Sequence, residues 1–314
     1  MQGNIDVGMA LLENLIKTEN PDMVTRLVIK ETIFIYSFLE INVLKNPEKG
    51  WKLIEENTRD YKTNLLNCFV RAQTALRAKK NDEVIRVVEN RPRGNEFVKF
   101  HFLDYLLGMA KLRKLDPDAD QAFLRYVSFF GGENLIKDSY QKLSWFYLLK
   151  GDKNSFEKYR LLIKTRGHLN YEDDKQAMRE VESGKIPDIN LLRARLLYDG
   201  AYYSEALHLL NQFSDNSFLN KNDKAEFVYR KGRVYHDLKE YSEAKKYYLL
   251  AIEKGKDLPE FYAANSALML GNIFEEENNK SEAKKYYNLC FSFPNKEYRN
   301  SIQQKAKAGL KRIE

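Results

Sequence analysis

Four histidines, two cysteines and one run of three glutamates are the residues of this chain best able to do chemistry. His101, His168, His208 and His236 are scattered, and none forms a His-x-x-x-His or Glu-x-x-His pair. Cys68 and Cys290 have neither metal-ligand spacing nor a disulfide framework around them, and Cys290 reads as a small packing residue. No Gly-x-Ser-x-Gly, Gly-rich phosphate loop or Cys-x-x-Cys occurs. Glu275, Glu276 and Glu277 could serve acid–base or metal chemistry only if they converged. Three consecutive residues on a helix point in different directions, so the run reads as a solvated helix end. The expectation is a non-enzyme with no catalytic residue, no cofactor and no metal.

The elements that would hold a working surface are plainer. Tyr235–Tyr248 and Phe274–Tyr287 are nearly one text written twice. Ala194 and Ala206, Gly232 and Ala244, and Gly271 and Ala283 are each twelve apart, and the copies repeat every 38 or 39 residues. Large apolar residues follow each first small one at fixed offsets: Leu197 and Leu210, Tyr235 and Tyr248, Phe274 and Tyr287. A small residue on each of two antiparallel helices lets their backbones approach, and the large residues fill the space beside them. Gly200-Ala201, Lys239-Glu240 and Asn278-Asn279 supply the turns between helices.

On these residues the chain resembles the tetratricopeptide repeat family, most clearly over residues 187–297. Gly232, Tyr235, Ala244, Tyr248 and Ala251 fit the family pattern, as do Gly271, Phe274, Ala283 and Tyr287. Each unit is four or five residues longer than the family's, and the usual proline is displaced to Pro259 and Pro294. The resemblance implies an all-α, right-handed helical-repeat solenoid of antiparallel pairs. It also implies a concave groove on the open side of the first helix of each pair. By register that groove would carry Arg195 and Tyr198, then Tyr229, Arg233 and His236, then Asn272 and Glu275. Arginine forks onto carboxylates and tyrosine gives area at small entropic cost, a mixture suited to a protein or extended peptide. The carboxylate clamp of the family's chaperone binders is not matched, since Leu191, Arg195, Arg230, Asn265 and Met269 stand at its positions.

Gly309 falls 38 after Gly271, so residues 299–313 read as a lone capping helix. Its polar outer face carries Gln303, Lys305, Lys307, Lys311 and Arg312. Ile302, Ala306, Leu310 and Ile313 form its buried stripe. Upstream the same periodicity runs on with eroded repeats. Asn64–Ala78 pairs with Asp82–Val88, and Leu143–Leu149 pairs with Phe156–Ile163. Gly108 takes a close-contact position, with Asp116 as N-cap to the helix that follows. Residues 5–57 supply two or three more helices around Trp51, and 171–183 form a short helix at a joint. The expected organisation is a degenerate repeat-like region, 1–185, and three repeats with a cap, 186–314, in fourteen to sixteen helices.

The net charge of +7 is spread along the chain, and a dispersed excess is ordinarily a solvated surface. Twenty tyrosines on a basic chain leave a nucleic-acid-binding or regulatory helical repeat as the alternative to a protein-binding scaffold or adaptor. The lysines of the repeats, though, lie beside Glu243 and Glu282. Leu27–Leu44, the most apolar stretch, contains Lys30, Glu31 and Glu40 and reads as a buried amphipathic helix, not a membrane span. The first residues lack a leader's layout, giving a cytoplasmic default, or a periplasmic or secreted chain if a leader was trimmed ahead of Met1. An uncapped apolar end would allow self-association, with Ile5, Leu11, Leu12 and Leu15 as candidates.

Overall fold

The computed structural model describes residues 4–314. Seventeen α-helices and one short 3-10 turn make up the described residues, with no strand among them. That is one helix more than the periodicity suggested. The chain divides into two units, one ending at Lys185 and the other running Ile186–Glu314.

The first unit holds α1 (Ile5–Ile16), α2 (Met23–Asn42), α3 (Pro47–Asn57), α4 (Leu65–Arg77) and α5 (Asn81–Glu89). It continues with α6 (Phe102–Arg113), α7 (Ala119–Phe129), α8 (Ile136–Lys150), α9 (Lys153–Thr165) and α10 (Glu172–Glu182). Consecutive helices pack as neighbours, and helices two apart also meet, α2 with α4, α4 with α6 and α6 with α8. Trp51 is buried beneath the Arg71 guanidinium, which lies 5.3 Å from its ring. Gly108 sits on Phe123 so closely that a Cβ would come within 2.9 Å of the ring. Two expectations fail here. Asp116 does not cap α7 but accepts from the Asp118 amide at 2.8 Å, closing a turn two residues ahead of the N-cap position, Asp118. α8 begins before Leu143 because Lys137, Asp138, Gln141 and Lys142 are buried, each charge being paired: Lys142 donates to Asp138 at 2.6 Å and Lys137 to the Ile163 carbonyl at 2.7 Å.

The second unit holds α11 (Ile189–Asp199), α12 (Tyr203–Asn211), α13 (Lys221–Asp237), α14 (Tyr241–Gly255), α15 (Tyr262–Glu276), α16 (Lys280–Leu289) and α17 (Arg299–Ile313). The first helices of its pairs, α11, α13 and α15, lie side by side, with α17 next in line. Ala194, Ala206, Ala244 and Ala283 are wholly or almost wholly buried at the contacts that the spacing assigned them. Tyr235 stacks on Tyr247 at 5.4 Å, and Phe274 stacks on Tyr286 at the same distance, so the written repeat is also a geometric one.

Six first helices end alike. A residue of positive φ follows α4, α6, α8, α11, α13 and α15: Lys79, Leu115, Gly151, Ala201, Lys239 and Asn278. The next amide then donates back five residues, at 2.8–3.0 Å, as Lys80 does to Ala75, Tyr202 to Leu197 and Asn279 to Phe274. This left-handed stop satisfies two helix-end carbonyls and turns the chain tightly into the second helix. In the first turn of the second unit it is Ala201 and not Gly200 that takes the positive angle, Gly200 having φ −88.

Candidate interaction surface on the first helices of the second unit

Of the residues placed in a groove by register, Tyr198, Tyr229 and Arg233 come together across α11 and α13, while Asn272 and Glu275 meet Tyr287 and Arg312 instead. The Arg195 side chain is 37% exposed, with its Nε 3.8 Å from Asp199 one turn on. Tyr198 donates its hydroxyl to Asp237, tying α11 to α13. The Arg233 guanidinium lies over the Tyr198 ring at 4.1 Å and over Tyr229 at 5.9 Å. Burial pushes the Tyr198 hydroxyl well up, and Asp237 beside it adds to the push, although Arg233 opposes it. For Arg233 burial works against the charge, and the tyrosines around it with Asp199 more than offset that.

Tyr229 departs most from expectation. Its ring is buried at 1% exposure among Phe261 and Tyr262, and its hydroxyl accepts from the Asn265 amide at 2.6 Å. It is a packing residue between α13 and α15, not a face offered to solvent. His236 is half-buried, its Nδ1 3.2 Å from the Tyr248 hydroxyl, which fixes the ring against the second helix of its own pair. The Asn272 side-chain amide lies 2.9 Å from the Tyr287 hydroxyl.

Glu275 is not a solvated helix end. Arg312 of α17 grips it through two bonds of 2.7 and 2.8 Å, and the Tyr287 hydroxyl donates to it as well. The Arg312 bond holds its carboxyl below the ordinary glutamate range against the opposing pull of burial. The other two glutamates are engaged too, Glu276 by Tyr241 at 2.7 Å and Glu277 by Lys245 at 2.8 Å.

Several members of the surface were not anticipated. Glu226 accepts from Arg230 at 2.7 Å and from the Tyr262 hydroxyl at 2.7 Å, bridging α13 to α15. Burial pushes its carboxyl up, yet Arg230, Tyr262 and, further out, Arg195 outweigh that and hold it low. A signal existed. Glu226 and Asn265 each stand six residues before the small residue of their helix, Gly232 and Gly271. Polar residues recurring at one register position on a first helix mark the row that reaches the neighbouring first helix. Arg312, three residues after Gly309 and so at a different register position, makes the corresponding bond from the cap.

The family model described as tetratricopeptide repeat matches residues 219–253 and 264–296. These two segments are similar to tetratricopeptide repeats. They cover α13 with most of α14, and most of α15 with α16. The pair α11–α12 has the same turn and the same buried alanines as the two matched segments, with Phe213 where a small residue is usual. Comparison with curated proteins gives no match. Tetratricopeptide repeats build helical scaffolds for protein interaction, and this unit has that architecture. Among the described residues no group of three or more His, Cys, Asp or Glu is arranged to hold a metal, and no helix is long and apolar enough to cross a membrane.

Proposed function

We propose that the second unit is a non-catalytic scaffold that takes a protein or extended peptide along the first helices α11, α13 and α15. The observation that supports this reading is the row of bonds joining those helices side to side. Tyr198–Asp237, Tyr229–Asn265, Glu226–Tyr262 and Glu275–Arg312 each connect one first helix to the next. Side chains held in this way lose little freedom when a partner arrives, so more of the contact energy appears as affinity. Arg195, over a third exposed on α11, is the point at which a partner's carboxylate would be gripped.

Capture from lysate tests this, with Arg195→Glu beside the wild-type chain and half of each sample treated with nuclease. A protein retained by wild type and lost with Arg195→Glu, indifferent to nuclease, supports the scaffold. Capture that disappears with nuclease moves the reading to nucleic acid, where affinity would also fall steeply with salt. Equal capture by both chains places the working surface away from α11.

A further inference from the structure

Helix α2 was expected to be buried, and the structure turns that expectation around. Its inward face is partly polar: Thr32, Ser37 and Glu40 lie there with Ile33, Tyr36 and Ile41, and Glu40 is neutralised by Lys49 at 2.7 Å. Its outward face is the apolar one. Val24, Leu27, Val28, Ile35 and Phe38 are all exposed, Val24 by 69% and Leu27 by 57%. Eleven of the twenty-two large apolar residues found exposed lie between Ile5 and Leu44.

The spacing of that face carries the argument further. Val24, Val28, Glu31, Ile35 and Phe38 follow at steps of four, three, four and three. This is the seam of a helix that interlocks with another helix of the same spacing, knobs into holes. Only one position in the seam, Glu31, is charged. At the C-terminal end Arg77 of α4 lies 5.3 Å from the Phe38 ring and bonds Asn42, which marks where the seam stops.

We propose that α2 is the contact between two copies of this chain, seam against seam about a twofold axis. A second copy supplies the matching spacing by necessity, since a twofold contact presents one patch to itself. The area is also right. With Met23, the five exposed residues present on the order of 500 Å² of apolar surface, at roughly 170 Å² for a fully exposed large side chain. A standard interface buries about 800 Å² per partner, a little over half of it apolar, or about 450 Å². The molecule also shows what a terminal helix made for water looks like. α17 exposes lysines and arginine and leaves no large apolar residue exposed between Arg299 and Ile313.

The test is sedimentation equilibrium of the whole chain up to about 100 µM, spanning the range in which a contact of this size shows itself. Wild type is expected to be a dimer. Ile35→Glu, on the exposed face, should weaken the dimer at least tenfold with the helical signal unchanged. Glu31→Leu removes the one charge from the seam and should tighten it about tenfold. This second variant decides the matter should Ile35→Glu disturb folding. A monomeric wild type at the highest concentration overturns the proposal, as does a dimer indifferent to both substitutions. A monomer that floats with phosphatidylcholine–phosphatidylserine vesicles also overturns it and assigns the seam to a lipid surface.

Discussion

Arg312, on the last helix, closes on Glu275 of α15 through two parallel N–H···O bonds. The pair fastens the cap to the repeat before it. Because the Glu275 carboxyl is held below its ordinary value of 4.5, its contribution is fully present above that pH and is lost as pH falls through the depressed value. Arg312→Ala should therefore lower the urea midpoint at pH 7 by the equivalent of about 0.5–1 kcal/mol, discounted for the half-exposed arginine. As the pH falls through the depressed Glu275 value, the variant and wild type should converge. A gap that persists in acid would mean that Arg312 acts through packing alone.

Tyr287 stands between two glycines. A Cβ on Gly271 would come within 2.6 Å of its ring, and one on Gly309 within 2.4 Å. The ring is fully buried and its hydroxyl is bonded at Asn272 and Glu275, so it cannot swing away cheaply. Gly271→Ala and Gly309→Ala should each cost about 1–3 kcal/mol by overpacking. Joined with Tyr287→Leu, each should cost less than the separate losses added together, because the smaller side chain admits the methyl. Urea unfolding of wild type, the three single variants and the two doubles checks this.

What the sequence made legible follows the same line. The small residues 194, 206, 232, 244, 271 and 283 were readable because a close backbone approach admits few residue types. α17 was placed to the residue for that reason, Gly309 being the same small position once more. α8 was misread over Lys137–Lys142 because charges buried in pairs look like surface in a one-dimensional pattern. The same blindness hid the exposed seam of α2: an apolar stripe shows that a helix has a sticky face, not whether anything covers it. The row of Glu226, Asn265 and Arg312 needed the neighbouring helix in view, since each residue is explained only by its partner 36 or 37 positions away.

The left-handed stops give a third expectation. Ala201 and Lys239 both hold a φ of +63, where a Cβ presses on the following carbonyl, whereas Asn278 at +59 tolerates the angle through its short polar side chain. Ala201→Gly and Lys239→Gly should raise stability by about 0.5–1 kcal/mol each, and Asn278→Gly by less. Thermal melts would reveal the order. A loss at Ala201 would show that the glycine's freedom in the unfolded chain outweighs the relief.

The two arginines named for the surface should separate in stability. Arg195 is over a third exposed with Asp199 at 3.8 Å, but it also helps hold the buried Glu226 carboxyl low, so Arg195→Glu should cost about 1 kcal/mol, less than the same change at Arg233. Arg233 is packed over the Tyr198 ring beside the Tyr198–Asp237 bond. Glutamate there would face Asp237 and Asp199 with no cation between them, and burial would make the unpaired charge costly. Arg233→Glu should lose about 3–5 kcal/mol and unfold the second unit before the first, while Arg233→Met, which keeps the length without the charge, should lose less. Proteolysis at the turns around Ala201 and Lys239, followed over a urea series, reads that order directly. If Arg233→Glu resists the protease as well as Arg195→Glu does, the guanidinium is not needed between α11 and α13, and Arg233 joins Arg195 as a residue able to meet a partner.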